Sequence, residues 1–115
     1  MVCDVDIFFQ NGKLARVFNS DSELKQKYGE RAKFLRSRIY EMRDVGNLEE
    51  LRSLPHARCH ELKGDREGTL AVDAGHPYRL IFEPANDTIP RKIDGGLDWR
   101  NVTAIKLLGV ENYHD

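Results

Sequence analysis

Cysteine is scarce: the chain carries only Cys3 and Cys59. Two cysteines do not make a disulfide framework, which excludes the small secreted folds that depend on one. A zinc site drawing on Cys3, His56, Cys59 and His60 would lack the paired short spacings of structural zinc sites. Two reduced cysteines, one or both buried, suit that spacing better. Long apolar runs are missing as well. None approaches the roughly 18 residues that a membrane span needs, and mean hydropathy is −0.59. Residues 1–10, MVCDVDIFFQ, set acids where a secretory leader needs positive charge and offer no small-residue cleavage site. A cytoplasmic protein with no membrane partner is therefore expected. An excess of one charge is absent too: 18 basic and 19 acidic residues give a formal net charge of −1. Internal repeats and low-complexity tracts are also absent.

What is present fits one domain over residues 1–115, long enough for one hydrophobic core. The charge is unevenly spread. Residues 11–43 hold nine bases (Lys13, Arg16, Lys25, Lys27, Arg31, Lys33, Arg36, Arg38 and Arg43) against four acids. A one-sided basic surface binds phosphate even on a protein that is neutral overall, although an ordinary solvated helix face has the same composition.

Order along the chain points to an α+β fold, with N-terminal helices packed on one face of a small, mainly antiparallel curved sheet. Residues 5–9 read as a strand, either covered on much of both sides or at an edge with one exposed aromatic. Residues 12–18 carry Leu14, Val17 and Phe18 at helical spacing. Ser20 and Glu23 form a capping-box pattern that opens a helix to about Tyr28, with a pause at Gly29. The clearest helix spans about 30–45, its apolar stripe at Ala32, Leu35, Ile39 and Met42, with Gly46 placed as its C-terminal cap. Asn47 can cap a further turn over 48–54, stopped by Pro55. Residues 69–73 and 78–83 are strand-like and separated by a compact Ala-Gly-His-Pro turn. Residues 102–110 form a third apolar strand. Segment 84–101, rich in Gly, Pro and Asp, reads as an excursion or flap that Trp99 pins to the body.

Four histidines are available, His56, His60, His76 and His114, and a lone histidine needs company to count as catalytic. His76 sits in a turn, and His56 has no obvious partner. Cleavage of RNA without a metal needs a base for the 2′-hydroxyl, cations on the phosphate and an acid for the departing 5′-oxygen. Histidine suits the proton transfers near neutral pH, and arginine and lysine suit the phosphate oxygens. The chain supplies His60, Lys63, Arg66, Arg79, Tyr113 and His114. They converge if the three later strands share one sheet.

Three motifs stand in order: His60-Glu61-Leu62-Lys63-Gly64-Asp65-Arg66-Glu67-Gly68, Tyr78-Arg79-Leu80-Ile81-Phe82, and Asn112-Tyr113-His114. Together with the upstream strand, two helices and Asn-Leu-Glu-Glu-Leu segment, they cover nearly the whole chain. They resemble the H-x-L-K-G-D-R-x-G, aromatic-Arg-apolar-apolar-Phe and D-Y-H motifs of the HigB-type ("plasmid maintenance killer protein") toxins of the RelE/ParE superfamily. The resemblance implies a RelE-like toxin fold and a toxin of a type II toxin–antitoxin pair. Such a toxin cleaves mRNA in the ribosomal decoding site as a metal-independent endoribonuclease without a cofactor. It implies a helix-turn-helix antitoxin of HigA type, ribosome and mRNA as partners, and DNA contact only through the antitoxin complex.

By the same resemblance His60, Tyr113 and His114 are catalytic, with base and acid open between the histidines. Lys63, Arg66 and Arg79 fall on basic motif positions suited to phosphate. Asn112 replaces the family's carboxylate and can orient a neighbour. Glu111 is adjacent, but in a strand it would point to the other face. The 84–101 segment is longer than in compact members. A binding module that has lost catalysis but keeps its antitoxin, and a gyrase-binding toxin on the same fold, are the alternatives.

Overall fold

The structure, a computed structural model, describes residues 5–112. Its elements run β1 (Asp6–Phe9), α1 (Gly12–Phe18), α2 (Asp21–Tyr28), α3 (Ala32–Asp44), α4 (Leu48–Arg52), β2 (His60–Glu61), β3 (Leu70–Asp73), β4 (Tyr78–Pro84) and β5 (Ala104–Asn112). The fold is α+β. The strands form one sheet in the order β1-β5-β4-β3-β2, antiparallel except for the parallel β1–β5 pair. A parallel neighbour needs a long crossover, and the helical half of the chain, α1 to α4, lies within the connection that leads to β5.

Local sequence caps three of the four helices, α1, α2 and α4. The Asn11, Ser20 and Asn47 side chains accept from the amides of Leu14, Glu23 and Glu50, at 2.8, 3.2 and 3.0 Å. These bonds satisfy donors that a first helical turn leaves open. The end of α3 differs from the expected glycine cap. Val45 is the cap residue, in extended conformation, and the Gly46 amide donates 3.0 Å to Glu50 Oε1. The carboxylate opening α4 thus holds the linker, and no left-handed residue is needed.

The α3 stripe packs where periodicity puts it: Ala32, Leu35, Ile39 and Met42 are buried against the sheet residues Leu70, Val72, Leu80, Phe82, Ile105 and Leu107. Arg38 departs from the basic-face reading. It is 7% exposed, donates from Nε to the Asp73 carbonyl and from Nη1 to Glu41, and so ties α3 to the end of β3. His56, discounted for want of a partner, has Glu41 Oε2 at 2.8 Å from its Nε2. Burial alone would raise the Glu41 carboxyl, but hydrogen bonds from His56 and Arg38 bring it below the ordinary value.

β1 is an edge strand with Phe8 exposed, one of the two arrangements its sequence allowed. The 84–101 excursion carries its own bridge between Arg91 and Leu97 and a 3-10 turn at Trp99–Asn101. Trp99 is buried, donates 3.1 Å to Glu61 Oε2 and lies under the Arg52 guanidinium, 4.3 Å from its ring centroid. It pins the excursion to α4 and β2. Among the described residues no helix is long and apolar enough to cross a membrane.

Candidate active site

Alternation divides β4 into two faces. Tyr78, Leu80 and Phe82 turn toward the helices, with the Tyr78 ring edge-on to Tyr28 at 5.4 Å. Arg79, Ile81 and Glu83 then stand on the opposite face. Register carries this second face across the sheet: His60 pairs with Ala71, Ala71 with Ile81, and Ile81 with Gly109. One step along, Asp73 pairs with Arg79, and Arg79 with Glu111. His60 and Arg79 therefore share a face. At ordinary strand spacings two strands and two residues separate their Cα atoms by about 12 Å.

The strand that brings in Glu111 is not regular. β4–β5 register shifts between Ile81, opposite Gly109, and Phe82, opposite Leu107, leaving Leu108 as an extra residue. A bulge reverses the alternation beyond it. Leu107 and Val110 both face the helices as a result. Glu111, which strict alternation from Leu107 would have turned toward the helices, comes to lie on the face of Arg79. The strand also begins later and runs further than its apolar run suggested, to Asn112.

Loop 62–69 supplies the third part. The Leu62 amide donates to the Thr69 carbonyl at 2.9 Å, closing the loop between β2 and β3. Inside it Gly64 and Gly68 take φ +73° and +95°, a left-handed backbone that favours glycine and explains both glycines of the K-G-D-R-x-G pattern. The intervening 3-10 turn, Gly64–Arg66, turns Arg66 toward Glu111. Arg66 donates from Nη1 to Glu111 Oε1 at 3.0 Å and from Nη2 to Oε2, a two-pronged pair, while Arg79 Nη2 donates to Oε1 at 3.1 Å. The bonds from Arg66, helped by Arg79, hold the Glu111 carboxyl below its ordinary value, and the same pair raises Arg66. Lys63 is exposed and makes no ion pair among the described residues.

His60 is exposed, and its Nδ1 lies 2.7 Å from the Arg58 carbonyl oxygen. A carbonyl only accepts, so Nδ1 carries the proton. In the neutral ring the lone pair is then on Nε2. Arg58 makes this contact from φ +50°, the only non-glycine positive φ among the described residues, and its Nε lies 3.4 Å from Asp73 Oδ2. The strained residue thus sits two positions before the histidine whose tautomer it sets.

The sheet therefore brings together His60, Arg66 and Arg79, with Lys63 on the same loop as Arg66. Asn112 pairs with Tyr78 and takes the other face from Glu111. Tyr113 and His114 lie outside the described residues, as does Cys3. Burial pushes the Cys59 thiol up to about 12, so it stays protonated and unreactive at neutral pH. Among the described residues no three His, Cys, Asp or Glu side chains are grouped so as to hold a metal ion.

Sequence reasoning missed three parts of this face. Glu111 was set aside because alternation turns it away from Asn112, which holds, but its place beside Arg79 depends on a bulge of which Gly109 inside an apolar strand is the one local sign. Asp73 meets Arg58 only through strand pairing distant in sequence, and the Arg58 carbonyl reaches His60 from a positive φ that nothing marks at an arginine. Chemically, the face offers an imidazole with an available Nε2 on the same side of the sheet as two guanidiniums, with an exposed ammonium on the adjoining loop. That set can take a proton from a hydroxyl and hold a phosphodiester.

A family model described as HigB-like toxin, a RelE-like toxin of the type II toxin–antitoxin system HigB, matches residues 7–94. The matched span includes His60, Lys63, Arg66 and Arg79 and ends before the C-terminal motif. No curated protein and no solved structure matches the chain.

Proposed function

The chain belongs to the HigB-like family of RelE-like toxins of type II toxin–antitoxin systems, and on that premise we propose that it cuts mRNA in the ribosomal decoding site, by metal-free attack of a ribose 2′-hydroxyl on the neighbouring phosphate. As a type II toxin it has an antitoxin partner; we take this to be a helix-turn-helix protein of HigA type. The observation that carries the catalytic reading is His60, with Nδ1 committed to the Arg58 carbonyl, on one sheet face with Arg66 and Arg79.

In this reading His60 Nε2 takes the 2′-hydroxyl proton. The 2′-oxygen bonds to phosphorus, the bond to the 5′-oxygen breaks, and His114 returns a proton to that oxygen. The products are a 2′,3′-cyclic phosphate and a 5′-hydroxyl. Arg66 and Arg79 hold the non-bridging oxygens in their forks, and Lys63 adds a mobile positive charge as the phosphate gains negative charge. Tyr113 positions the nucleotide or assists the proton transfer, and Asn112 orients a neighbour. Imidazole catalysis of this kind contributes about 10²–10⁴-fold for each proton transfer.

Induced expression of wild type, His60→Ala and His114→Ala tests the mechanism. Wild type should arrest growth and fragment mRNA, and each variant should lose most of both effects. Arrest and cleavage at wild-type level by both variants would sink it. A second reading has one observation in its favour: Glu111 already engages both arginines of the site. In that reading the chain is a catalytically inactive antitoxin-binding module, and overexpressed wild type is harmless while still capturing its antitoxin.

A further inference from the structure

We propose that Glu111 is a stand-in for phosphate: in the free protein its carboxylate fills the arginine fork that the scissile phosphate takes, and RNA binds by displacing it. The inference rests on reading Arg66 and Arg79 as phosphate ligands, and adds what occupies them beforehand.

The geometry is that of anion recognition. A carboxylate offers two coplanar oxygens to a guanidinium much as a phosphodiester offers its two non-bridging oxygens, and both form the two-pronged pair. Glu111 takes both terminal nitrogens of Arg66, and its Oε1 is shared with Arg79. A phosphate seeking the same two forks meets the same donors already in use. The three groups leave a single net positive charge where two bare guanidiniums would present two.

The fold delivers this carboxylate deliberately. Without the extra residue at Leu108, strict alternation from Leu107 would place Glu111 among the helix-facing side chains. The bulge puts it opposite Arg79 instead. The carboxylate is also removable, because Glu111 and Arg66 are each over a third exposed, so water can solvate the carboxylate once it leaves. An exposed pair of this kind is worth little, and an incoming polyanion that makes further contacts outcompetes it.

Two consequences follow. Both arginines are already ordered around one anion, so they lose less freedom when RNA arrives. Weak or fortuitous phosphates are turned away, because the apparent dissociation constant is the intrinsic one divided by the fraction of molecules in which the fork is free. A ligand that binds elsewhere on the protein at the same time, as a strand threaded past Lys63 would, passes this threshold where an isolated phosphate does not.

The test measures binding of a short single-stranded RNA, made uncleavable by a 2′-deoxy substitution, to the full chain by fluorescence anisotropy over a range of salt concentrations. Glu111→Gln keeps the size of the side chain and removes its charge. It should bind roughly fivefold more tightly at low salt, the scale of one exposed ion pair removed. That advantage should shrink as salt rises, because salt screens the Glu111 pair that wild type must break and the variant lacks. Glu83→Gln removes the same charge on the same face, where its partner is Lys106 at 3.2 Å, and should leave affinity unchanged.

Equal tightening by both variants would assign the effect to general charge, and the proposal would fall. Weaker binding by Glu111→Gln and by Glu111→Ala, in chains that melt as wild type does, would make Glu111 a support for the arginines and would also overturn it. Arg66→Ala and Arg79→Ala separate this from the reading beneath it. If they bind as wild type, the arginines are not phosphate ligands and both statements fail. If they bind weakly while Glu111→Gln does not tighten, the displacement alone fails.

Discussion

Arg58 decides whether the tautomer of His60 is set by the backbone, and three substitutions separate its contributions. At φ +50° a residue with a Cβ carries a left-handed cost of about 1–2 kcal/mol, which glycine does not. Arg58→Gly removes that cost and returns about 0.5–1 kcal/mol through the greater freedom of the unfolded chain. The lost pair with Asp73 is worth under about 1 kcal/mol because Arg58 is mostly exposed. These contributions nearly cancel, so the glycine variant should match wild-type stability within about 1 kcal/mol. Arg58→Ala keeps the strain and loses only the ion pair. Arg58→Val adds a β-branched side chain in a region it rarely enters, at a further cost of about 1–2 kcal/mol, and relaxing that strain swings the carbonyl away from His60.

The 2.7 Å bond to that carbonyl is worth about 1 kcal/mol net, so it shifts the tautomer ratio about fivefold toward the Nδ1-protonated ring. Nitrogen NMR of the imidazole reads the ratio directly. Glycine and alanine variants should keep the wild-type signature and the valine variant should lose it. A glycine variant that is fully folded yet shows the other tautomer would refute the assignment, because it would make the guanidinium and not the carbonyl responsible.

Other consequences are equally open to measurement. Arg38→Met leaves the Asp73 carbonyl without its side-chain donor and breaks the link between α3 and β3; denaturant unfolding should show a loss of about 2 kcal/mol, and an unchanged midpoint would contradict it. Trp99→Leu removes the bond to Glu61 and the face over which Arg52 lies, at about 2–4 kcal/mol, and should expose the 84–101 excursion to limited proteolysis before the sheet melts. The depressed carboxyl of Glu111 gives a signed pH dependence. Its contribution to stability is fully present above the ordinary carboxylate range and is lost as pH falls through the lower folded value. Glu111→Gln should therefore flatten part of the acid limb in a series of thermal melts, and an identical limb in both proteins would show that the pair does not form in solution.

The helical half was legible because its signals are local. Capping side chains at Ser20 and Asn47 and the stripe from Ala32 to Met42 each act within a few residues, and each formed where the pattern put it. The failures there are tertiary. Arg38 looked like surface because the Asp73 carbonyl reaches it only when α3 docks on the sheet, while Glu41, three residues on in α3, is equally compatible with an exposed face. In the sheet, strand positions could be read from apolar runs, but the parallel pairing of β1 with β5 could not, since nothing within Val5 to Phe9 names a partner nearly a hundred residues away. The face of the site was half visible. Periodicity placed Arg79 opposite Leu80, and the motif placed Lys63 and Arg66 in one loop. A single unpaired residue, Leu108, then decided which way Glu111 points, and one-residue register changes leave little trace in hydrophobic pattern.

End analysis of mRNA cut on programmed ribosomes tests the central claim most directly. With purified wild type, cut ends should be 2′,3′-cyclic phosphates and 5′-hydroxyls, a 2′-deoxy residue at the cut site should block the reaction, and His60→Ala should be slower by about 10²-fold or more. Ends bearing 3′-hydroxyl and 5′-phosphate, or cleavage by His60→Ala at the wild-type rate, would contradict it.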